Sequence, residues 1–336
     1  MGHWTKGCIA IFNGLIGQGE IKGILENSIK GNKVSHAYVF TGPRGIGKKS
    51  FAKIFSGMLL CEKQSGDMRC GQCFACKTFD NNTNPDFHII DAGEGSIGVD
   101  EIRKIQSEVI IKPLYSSRKV YLIIEADKMT VQAQNCLLKT LEEPPSYAVI
   151  ILTASNYEAL METIRSRVSR IPFKKYNNEE LRAILDLWMD KPVNNMDFVL
   201  SFSDGIAGNA LDIAGSEEFV RIREESINVI LKLSTKKADD IFNAAKFFEE
   251  NKSDIDTILD IMQTFYRDLL IYKKTKNEKM LINSDKKGII LNNIAKFTVG
   301  KLGDNIELIE NTKRILQQNA NFQLSIEVML MKLQEE

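Results

Sequence analysis

The sequence predicts an α/β region with a parallel sheet, followed by an all-α region. Three observations support this division. Up to about residue 173, short apolar runs alternate with helical patterns, and a glycine-rich turn follows the first run. Beyond residue 176 the chain is nearly all helix-patterned, with almost no proline. Continuous apolar strands that alternate with helices are typical of a parallel sheet covered by helices on both faces.

The elements of the α/β region follow from residue content and spacing. Four runs rich in β-branched or aromatic residues predict strands: AYVFT (37–41), FHIID (87–91), KVYLIIEA (119–126) and AVIILTAS (148–155). Amphipathic spacing between them predicts helices that include KKSFAKIFSGMLL (48–60) and VDEIRKIQSEV (99–109).

The second region begins with NNEELRAILDLWMD (177–190), where an Asn suits the N-cap of a helix. DIDTILDIMQTFYRDLLIYKK (254–274) repeats apolar residues three and four apart, as a packed amphipathic helix does. These patterns divide the chain into a leader (1–11) for which disorder is one interpretation, an α/β domain (12–173), a small helical domain (174–214) and a larger helical domain (215–336).

Composition excludes some classes of protein. The chain has 336 residues, 43% of them hydrophobic, and 44 Lys plus Arg balance 44 Asp plus Glu. A balanced charge gives no global field for nucleic acid, although a local basic patch remains compatible with it. No apolar run reaches the roughly 18–20 residues that span a bilayer, and the N-terminus lacks a signal-peptide layout. We therefore expect a cytoplasmic, multi-domain protein.

The glycine-rich turn TGPRGIGKKS (41–50) fits the GxxxxGK pattern of a phosphate-binding loop. Its candidate nucleotide-binding residues are Gly42, Gly45, Gly47 and Lys48. The next position normally supplies a hydroxyl to Mg²⁺ and here is Lys49. Ser50 comes one residue too late, about 100° further round the helix. Phosphate binding is thus favoured over metal-assisted hydrolysis, and the alternative is a glycine-rich turn without a ligand.

The second half of a nucleotide site should be an apolar strand that ends in Asp-Glu. The corresponding strand here ends in Ile124-Glu125, so an aliphatic residue occupies the Asp position. Asp127 lies two residues beyond Glu125 and could replace the missing Asp only with a shift in register. Two magnesium ligands are therefore missing independently, at Lys49 and at Ile124, which indicates that the chain no longer hydrolyses nucleotide.

Four of the six cysteines lie within sixteen residues: Cys61, Cys70, Cys73 and Cys76. Their C-x8-C-x2-C-x2-C spacing is typical of a tetrahedral four-thiolate zinc site. Since no coordination position would stay open, the predicted Zn²⁺ is structural, in a module over about 61–76. The alternative is four buried or reactive thiols, while Cys8 and Cys136 are interpreted as lone core or surface residues.

Five segments occur in the following order along the chain: SHAYVFTGPRGIGK, the four-cysteine insert, VDEIRKI, VYLIIEADKMTVQAQNCLLKTLEEPP and TIRSRVSRIPF. Together they resemble the AAA+ subunits of bacterial clamp loaders of DNA polymerase III, over about residues 12–215. The C-terminal helices, which close with NANFQLSIEVMLMKL, support the resemblance through length and helicity. The resemblance implies an AAA+ P-loop domain with a zinc knuckle, a helical lid and a helical collar.

The resemblance also implies roles for single residues. Ser166-Arg167-Val168 matches the family's Ser-Arg-Cys segment, in which the Arg is a finger presented to ATP in the neighbouring subunit. A guanidinium suits a multi-oxygen anion, and the assignment to Arg167 rather than Arg165 or Arg170 rests on the motif match. A surface Arg in a basic loop is the alternative.

Further family positions depart from the pattern or carry weak signals. In DGIAGNAL (204–211), Asn209 stands where the family has a sensor Arg. Thr153 and Ser155 fall near the position of a polar sensor, and as plain strand-end residues they need no role. Arg103 and Lys104 match a helix that lies near the DNA backbone in relatives, although exposed helix charges are usually only solvated.

The sequence therefore predicts a clamp-loader stator rather than a motor. It would bind ATP without hydrolysing it, have no independent activity, and belong to the DNA polymerase holoenzyme. Expected partners are the tau/gamma and delta subunits, the sliding clamp and primed DNA, with no membrane. Alternatives are an active tau/gamma-type ATPase and a zinc-knuckle DNA-binding protein with a relic P-loop.

Overall fold

The structure is a computed structural model that describes residues 15–63, 69–93, 95–234, 238–318 and 320–335. The predicted leader, 1–11, lies outside these residues. The chain forms two compact units. The first reaches Ile184 and includes Gly205–Asn209, and the second consists of Leu185–Asp204 and the chain from Ala210 onward. The predicted small helical domain, 174–214, contributes to both units, and the three-domain division stays a prediction.

The first unit is built on a parallel sheet, as predicted. Its strands are β1 (Ala37–Thr41), β2 (Phe87–Asp91), β3 (Lys119–Ile124), β4 (Ala148–Ala154) and β5 (Ser169–Pro172), in the order β2-β3-β4-β1-β5. Every neighbouring pair is parallel. The sequence did not predict β5, because this four-residue edge strand buries only Ile171 and so lacks an apolar run.

Helices cover this sheet: α1 (Gly19–Lys30), α2 (Lys48–Leu60), α3 (Phe74–Asp80), α4 (Val99–Val109), α5 (Val131–Glu142) and α6 (Glu162–Arg165). Helix α5 shows how local sequence fixes a boundary. The Thr130 side chain accepts a hydrogen bond from the N–H of Ala133 and caps the helix. Leu137 and Leu141, four residues apart, then enter the core beneath the sheet.

The remaining helices are α7 (Asn178–Trp188), α8 (Met196–Phe202), α9 (Ala207–Gly215), α10 (Glu217–Leu233), α11 (Ala238–Glu250), α12 (Ile255–Thr275), α13 (Lys287–Asn293), α14 (Val299–Gln317) and α15 (Phe322–Gln334). The core of the second unit is centred on α12, whose Met262, Phe265 and Tyr266 are buried. Among the described helices, none is both long and apolar enough to cross a bilayer.

The sheet order determines which loops can form a site. Strand β4 lies between β1 and β3, so the segments that follow these three strands meet at one edge. In open parallel sheets ligands bind at this carboxyl edge. The glycine-rich loop after β1, the acidic segment after β3 and the polar end of β4 therefore lie together.

Candidate nucleotide, metal and arginine sites

The loop between β1 and α2 has the backbone shape of a phosphate cradle. Its three glycines have positive φ angles of 149° at Gly42, 80° at Gly45 and 101° at Gly47. Glycine adopts this region without steric strain. Gly47 is also the N-cap of α2, so the helix N-terminus with its free N–H groups opens onto the loop.

The tip of the loop contacts the segment that carries the predicted sensor position. The N–H of Gly208 donates to the carbonyl of Gly45 at 2.9 Å. A Cβ added to Gly208 would lie 2.9 Å from Gly45 Cα, so only glycine allows this approach. Asn209 Oδ1 lies 3.5 Å from the position of a Cβ on Gly45. The side chain next to the loop is thus an uncharged amide and not the guanidinium of relatives.

The loop lysine binds its own loop. The Lys48 ammonium donates to the carbonyls of Gly42 at 2.6 Å and Pro43 at 2.8 Å, and to Ser155 Oγ at 3.1 Å. Lys48 itself is buried, and burial lowers its pKa against the opposing pull of nearby carboxylates. A phosphate at this loop must therefore displace intrachain hydrogen bonds of the lysine.

Lys49, at the hydroxyl position, forms an ion pair instead of a metal contact. Its Nζ lies 2.7 Å from Asp91 Oδ2 at the end of β2, and this pair lowers the pKa of Asp91. Ile124 pairs with Asp91 across the sheet and is buried. A lysine and an aliphatic side chain thus stand where an active ATPase has two magnesium contacts.

The acidic residues after β3 also have partners within the chain. Glu125 has a positive φ of 54°, its N–H donates to Thr153 Oγ1 at 3.0 Å, and its carboxylate lies 2.7 Å from Lys128 Nζ. Asp127 accepts hydrogen bonds from the N–H groups of Ser155 and Asn156. Thr153 of β4 and Ser155 just after it therefore contact these residues, although a sensor role for them stays a prediction.

The four predicted zinc ligands come together between α2 and α3. The sulfur atoms of Cys61, Cys70, Cys73 and Cys76 all lie within 4.8 Å of one another. Four thiolates around one Zn²⁺ are separated by about 3.8 Å, given a Zn–S distance of about 2.3 Å. The cluster is thus close to the geometry that a tetrahedral ion requires, and three of the four cysteines are buried.

Backbone N–H groups support the cluster. Those of Cys70, Cys73 and Cys76 donate to the sulfurs of Cys61, Cys70 and Cys73 at 3.2–3.4 Å. N–H groups of Gln72 and Cys73 lower the pKa of Cys70 to about 6, whereas burial raises the pKa of Cys61 and Cys76. A bound cation stabilises all four thiolates, so the donor set fits a structural metal ion.

Arg167 lies just beyond α6 at the surface of the first unit. Its Nη2 lies 2.9 Å from Glu142 Oε1, and its Nη1 donates to the carbonyl of Thr163 at 2.9 Å and to Ser166 Oγ at 3.2 Å. The side chain is 36% exposed. A guanidinium in this position is accessible to an anion from outside the chain.

Neighbouring arginines are engaged differently. Arg165 pairs with Glu158 and lies over the Tyr157 ring. Arg170 donates to Thr41 Oγ1 at 3.3 Å and stacks on the same ring at 4.0 Å. Intrachain ring contacts hold both of them, unlike Arg167.

The weak DNA candidates, Arg103 and Lys104, lie on α4. Arg103 pairs with Asp100 one turn earlier at 3.1 Å, and both side chains are largely exposed. Lys104 also lies on this helix and is exposed. Their role toward DNA stays a prediction.

Sequence reasoning missed the acidic partners Asp91 and Glu142. Asp91 ends a predicted strand, and that position is the signal that could have placed it at the site. Glu142 lies in the segment VYLIIEADKMTVQAQNCLLKTLEEPP, but no spacing along the chain indicates that it contacts a side chain 25 positions later.

Comparison with known proteins gives one consistent family. The family model "DNA polymerase III, delta subunit" matches residues 17–177, and the model of its C-terminal part matches 217–335. The chain is 30% identical to DNA polymerase III subunit delta' of Bacillus subtilis over 323 residues, which cover 95% of this chain and 96% of the relative.

The alignment with a second relative covers a smaller part of both chains. The chain is 31% identical to DNA polymerase III subunit tau of Bacillus subtilis, over 78% of this chain but only 50% of the tau subunit's length. Among solved structures, a gamma subunit-related protein of Thermotoga maritima aligns over 94% of this chain and 97% of its own, with a TM-score of 0.46 and 18% identity.

Proposed function

The chain belongs to the DNA polymerase III delta-prime subunit family, and from that premise we propose that it is the stator of a bacterial clamp loader. It supplies Arg167 to ATP held by a neighbouring tau/gamma subunit and helps to load the sliding clamp onto primed DNA in the cytoplasm. The observation that carries this proposal is Lys49, which pairs with Asp91 in place of a magnesium-binding hydroxyl. The chain's own site thus lacks the means of hydrolysis.

Two further features support a stator. The phosphate cradle of Gly42, Gly45, Gly47 and Lys48 remains, which is compatible with ATP bound and not cleaved. The guanidinium of Arg167 is partly exposed and offers a planar set of donors to a phosphate. An arginine supplied across an interface can accelerate hydrolysis by roughly 10³–10⁵.

Metal, nucleic acid and protein partners complete the proposal. The cysteine cluster holds one structural Zn²⁺, and Arg103 and Lys104 contact the DNA backbone. Helix α15 leaves Leu324, Val328 and Met331 exposed on one stripe, which suits packing against a helix of the tau/gamma or delta subunits in a collar.

The test is reconstitution of the full complex with tau/gamma, delta, clamp and primed DNA. Arg167→Ala should lower the ATPase rate about tenfold or more and leave assembly by gel filtration intact. Arg165→Ala serves as the matched control, because this neighbouring guanidinium lies over the Tyr157 ring and pairs with Glu158, and it should leave the rate nearly unchanged. Unchanged turnover with Arg167→Ala would remove the finger assignment.

The same reconstitution separates the rivals. Magnesium-dependent ATP turnover by the isolated chain, abolished by Lys48→Ala, would indicate a tau/gamma-type motor. Tight DNA binding by the isolated chain, with no entry into the complex, would indicate a zinc-knuckle DNA-binding protein.

A further inference from the structure

The arginine proposed as the finger has a carboxylate partner in its own chain. We propose that Glu142 is a positioning residue for Arg167, which holds the guanidinium in the orientation in which it meets a nucleotide phosphate of the neighbouring subunit. The contact is direct, with Arg167 Nη2 2.9 Å from Glu142 Oε1. This inference rests on the proposed function, because it assigns a role within that reaction.

Glu142 is held in place by a helix that packs against the core. It is the last residue of α5, whose Leu137 and Leu141 are buried in the core. Two prolines follow Glu143 in the chain, which restricts the backbone just beyond the carboxylate. A carboxylate at the end of a packed helix can define where its partner lies.

The segment that carries Arg167 is tied to the same helix by an independent contact. Gln134 of α5 is buried, its Oε1 accepts from the N–H of Met161 at 2.8 Å, and its Nε2 donates to the carbonyl of Ala159 at 3.2 Å. Loss of the bond from Met161 would leave Oε1 of the buried Gln134 side chain without a partner among the described residues, which is costly. Helix α5 therefore fixes the start of the α6 segment through Gln134 and its end through Glu142.

The contact also leaves donors free for a phosphate. Arg167 Nη2 forms an ion pair with Glu142, while its Nη1 donates hydrogen bonds to Thr163 and Ser166. Of the five N–H donors of the guanidinium, the Nε hydrogen has no partner among the described residues. Arg223 of the second unit is a contrast, since it commits both Nη1 and Nη2 to Asp285 and is buried.

If the pair of Arg167 and Glu142 only stabilised the fold, its removal would lower the stability of the protein and would not specifically affect catalysis. Both side chains are substantially exposed, at 36% for Arg167 and 51% for Glu142. Ion pairs in such surroundings contribute little to folding stability because water screens them. Removal of Glu142 should therefore leave the fold and the assembly intact, so that an effect on catalysis can be measured cleanly.

The experiment uses the reconstituted complex with primed DNA and compares Glu142→Ala, Glu142→Gln, Arg167→Ala and the double variant. Glu143→Ala is the matched control, because it removes a neighbouring exposed carboxylate. We expect Glu142→Ala to lower kcat by roughly two- to fivefold, with the KM for ATP unchanged. Glu142→Gln, which keeps an oxygen acceptor, should lose less. In the Arg167→Ala background, Glu142→Ala should have no further effect.

The outcomes separate the inference from the proposed function. If Arg167→Ala leaves turnover unchanged, the finger assignment fails and the positioning role fails with it. If Arg167→Ala slows turnover but Glu142→Ala does not, only the positioning role is overturned. The same holds if Glu142→Ala raises kcat, or slows the Arg167→Ala complex by the same factor as the wild type.

Discussion

Arg223 of α10 forms a partly buried ion pair in the second unit that can be perturbed and measured. Its Nη1 and Nη2 lie 2.8 and 2.7 Å from the two oxygens of Asp285, and Nη2 also donates to Asn283 Oδ1 at 2.8 Å. The guanidinium lies 3.4 Å from the centre of the Phe198 ring. One side chain thus ties α10 to α8 and to the segment before α13.

The magnitude follows from this environment. Removal of one partner of a buried pair costs about 3–5 kcal/mol, since the other charge is left without compensation. Asp285 is 18% exposed, so water reaches it and we expect the lower end, about 3 kcal/mol for Arg223→Ala. At about 2–4 °C per kcal/mol, the melting temperature of this unit should fall by roughly 6–12 °C.

Urea unfolding followed by tryptophan fluorescence measures this change. The chain has two tryptophans, and Trp188 lies in the second unit, so a Trp4→Phe background reports on that unit alone. Arg221→Ala is the control, because that side chain lies on the same helix and is more exposed; it pairs with Glu218 and Glu225 and donates to Asn251 Oδ1. A loss below about 1 kcal/mol for Arg223→Ala, or strict additivity with Asp285→Ala, would refute the reasoning.

Three further predictions concern the first unit. Cys76→Ser should reduce the zinc content from about one ion per chain, measured by mass spectrometry of the purified protein, while Cys136→Ser should retain it; equal contents would contradict the cluster. Lys49→Thr restores a hydroxyl, yet phosphate-release assays should detect no magnesium-dependent turnover, because Ile124 still replaces the second ligand; steady turnover would contradict this. Burial lowers the pKa of His88, so its contribution to stability is full above about pH 6.5 and is lost as the pH falls through the lower folded-state pKa. His88→Phe should therefore reduce the fall in melting temperature between about pH 6.5 and 5, and an unchanged pH profile would show that another group causes it.

The four predicted strands and the two predicted helices of the first unit match the structure to within one or two residues. The predicted helices at 48–60 and 99–109 have those bounds in the structure, and β3 is shorter than its predicted run because Glu125 leaves the strand at positive φ. Such boundaries depend on neighbouring residues: apolar periodicity, caps and glycines. The same local signals identified the phosphate loop and the four close cysteines.

Only the tertiary structure showed which side chains pair with one another around the site. Strand β5 has no apolar run and exists because it pairs with β1 at the edge of the sheet. The contact of Lys49 with Asp91 joins residues 42 positions apart, and that of Arg167 with Glu142 joins residues 25 positions apart. The sequence alone determined that Lys49 and Ile124 replace two magnesium ligands and that an arginine stands at position 167, because these conclusions depend only on residue type. Which carboxylate meets each cation depends on how strands and helices pack, and periodicity along the chain carries no information on that.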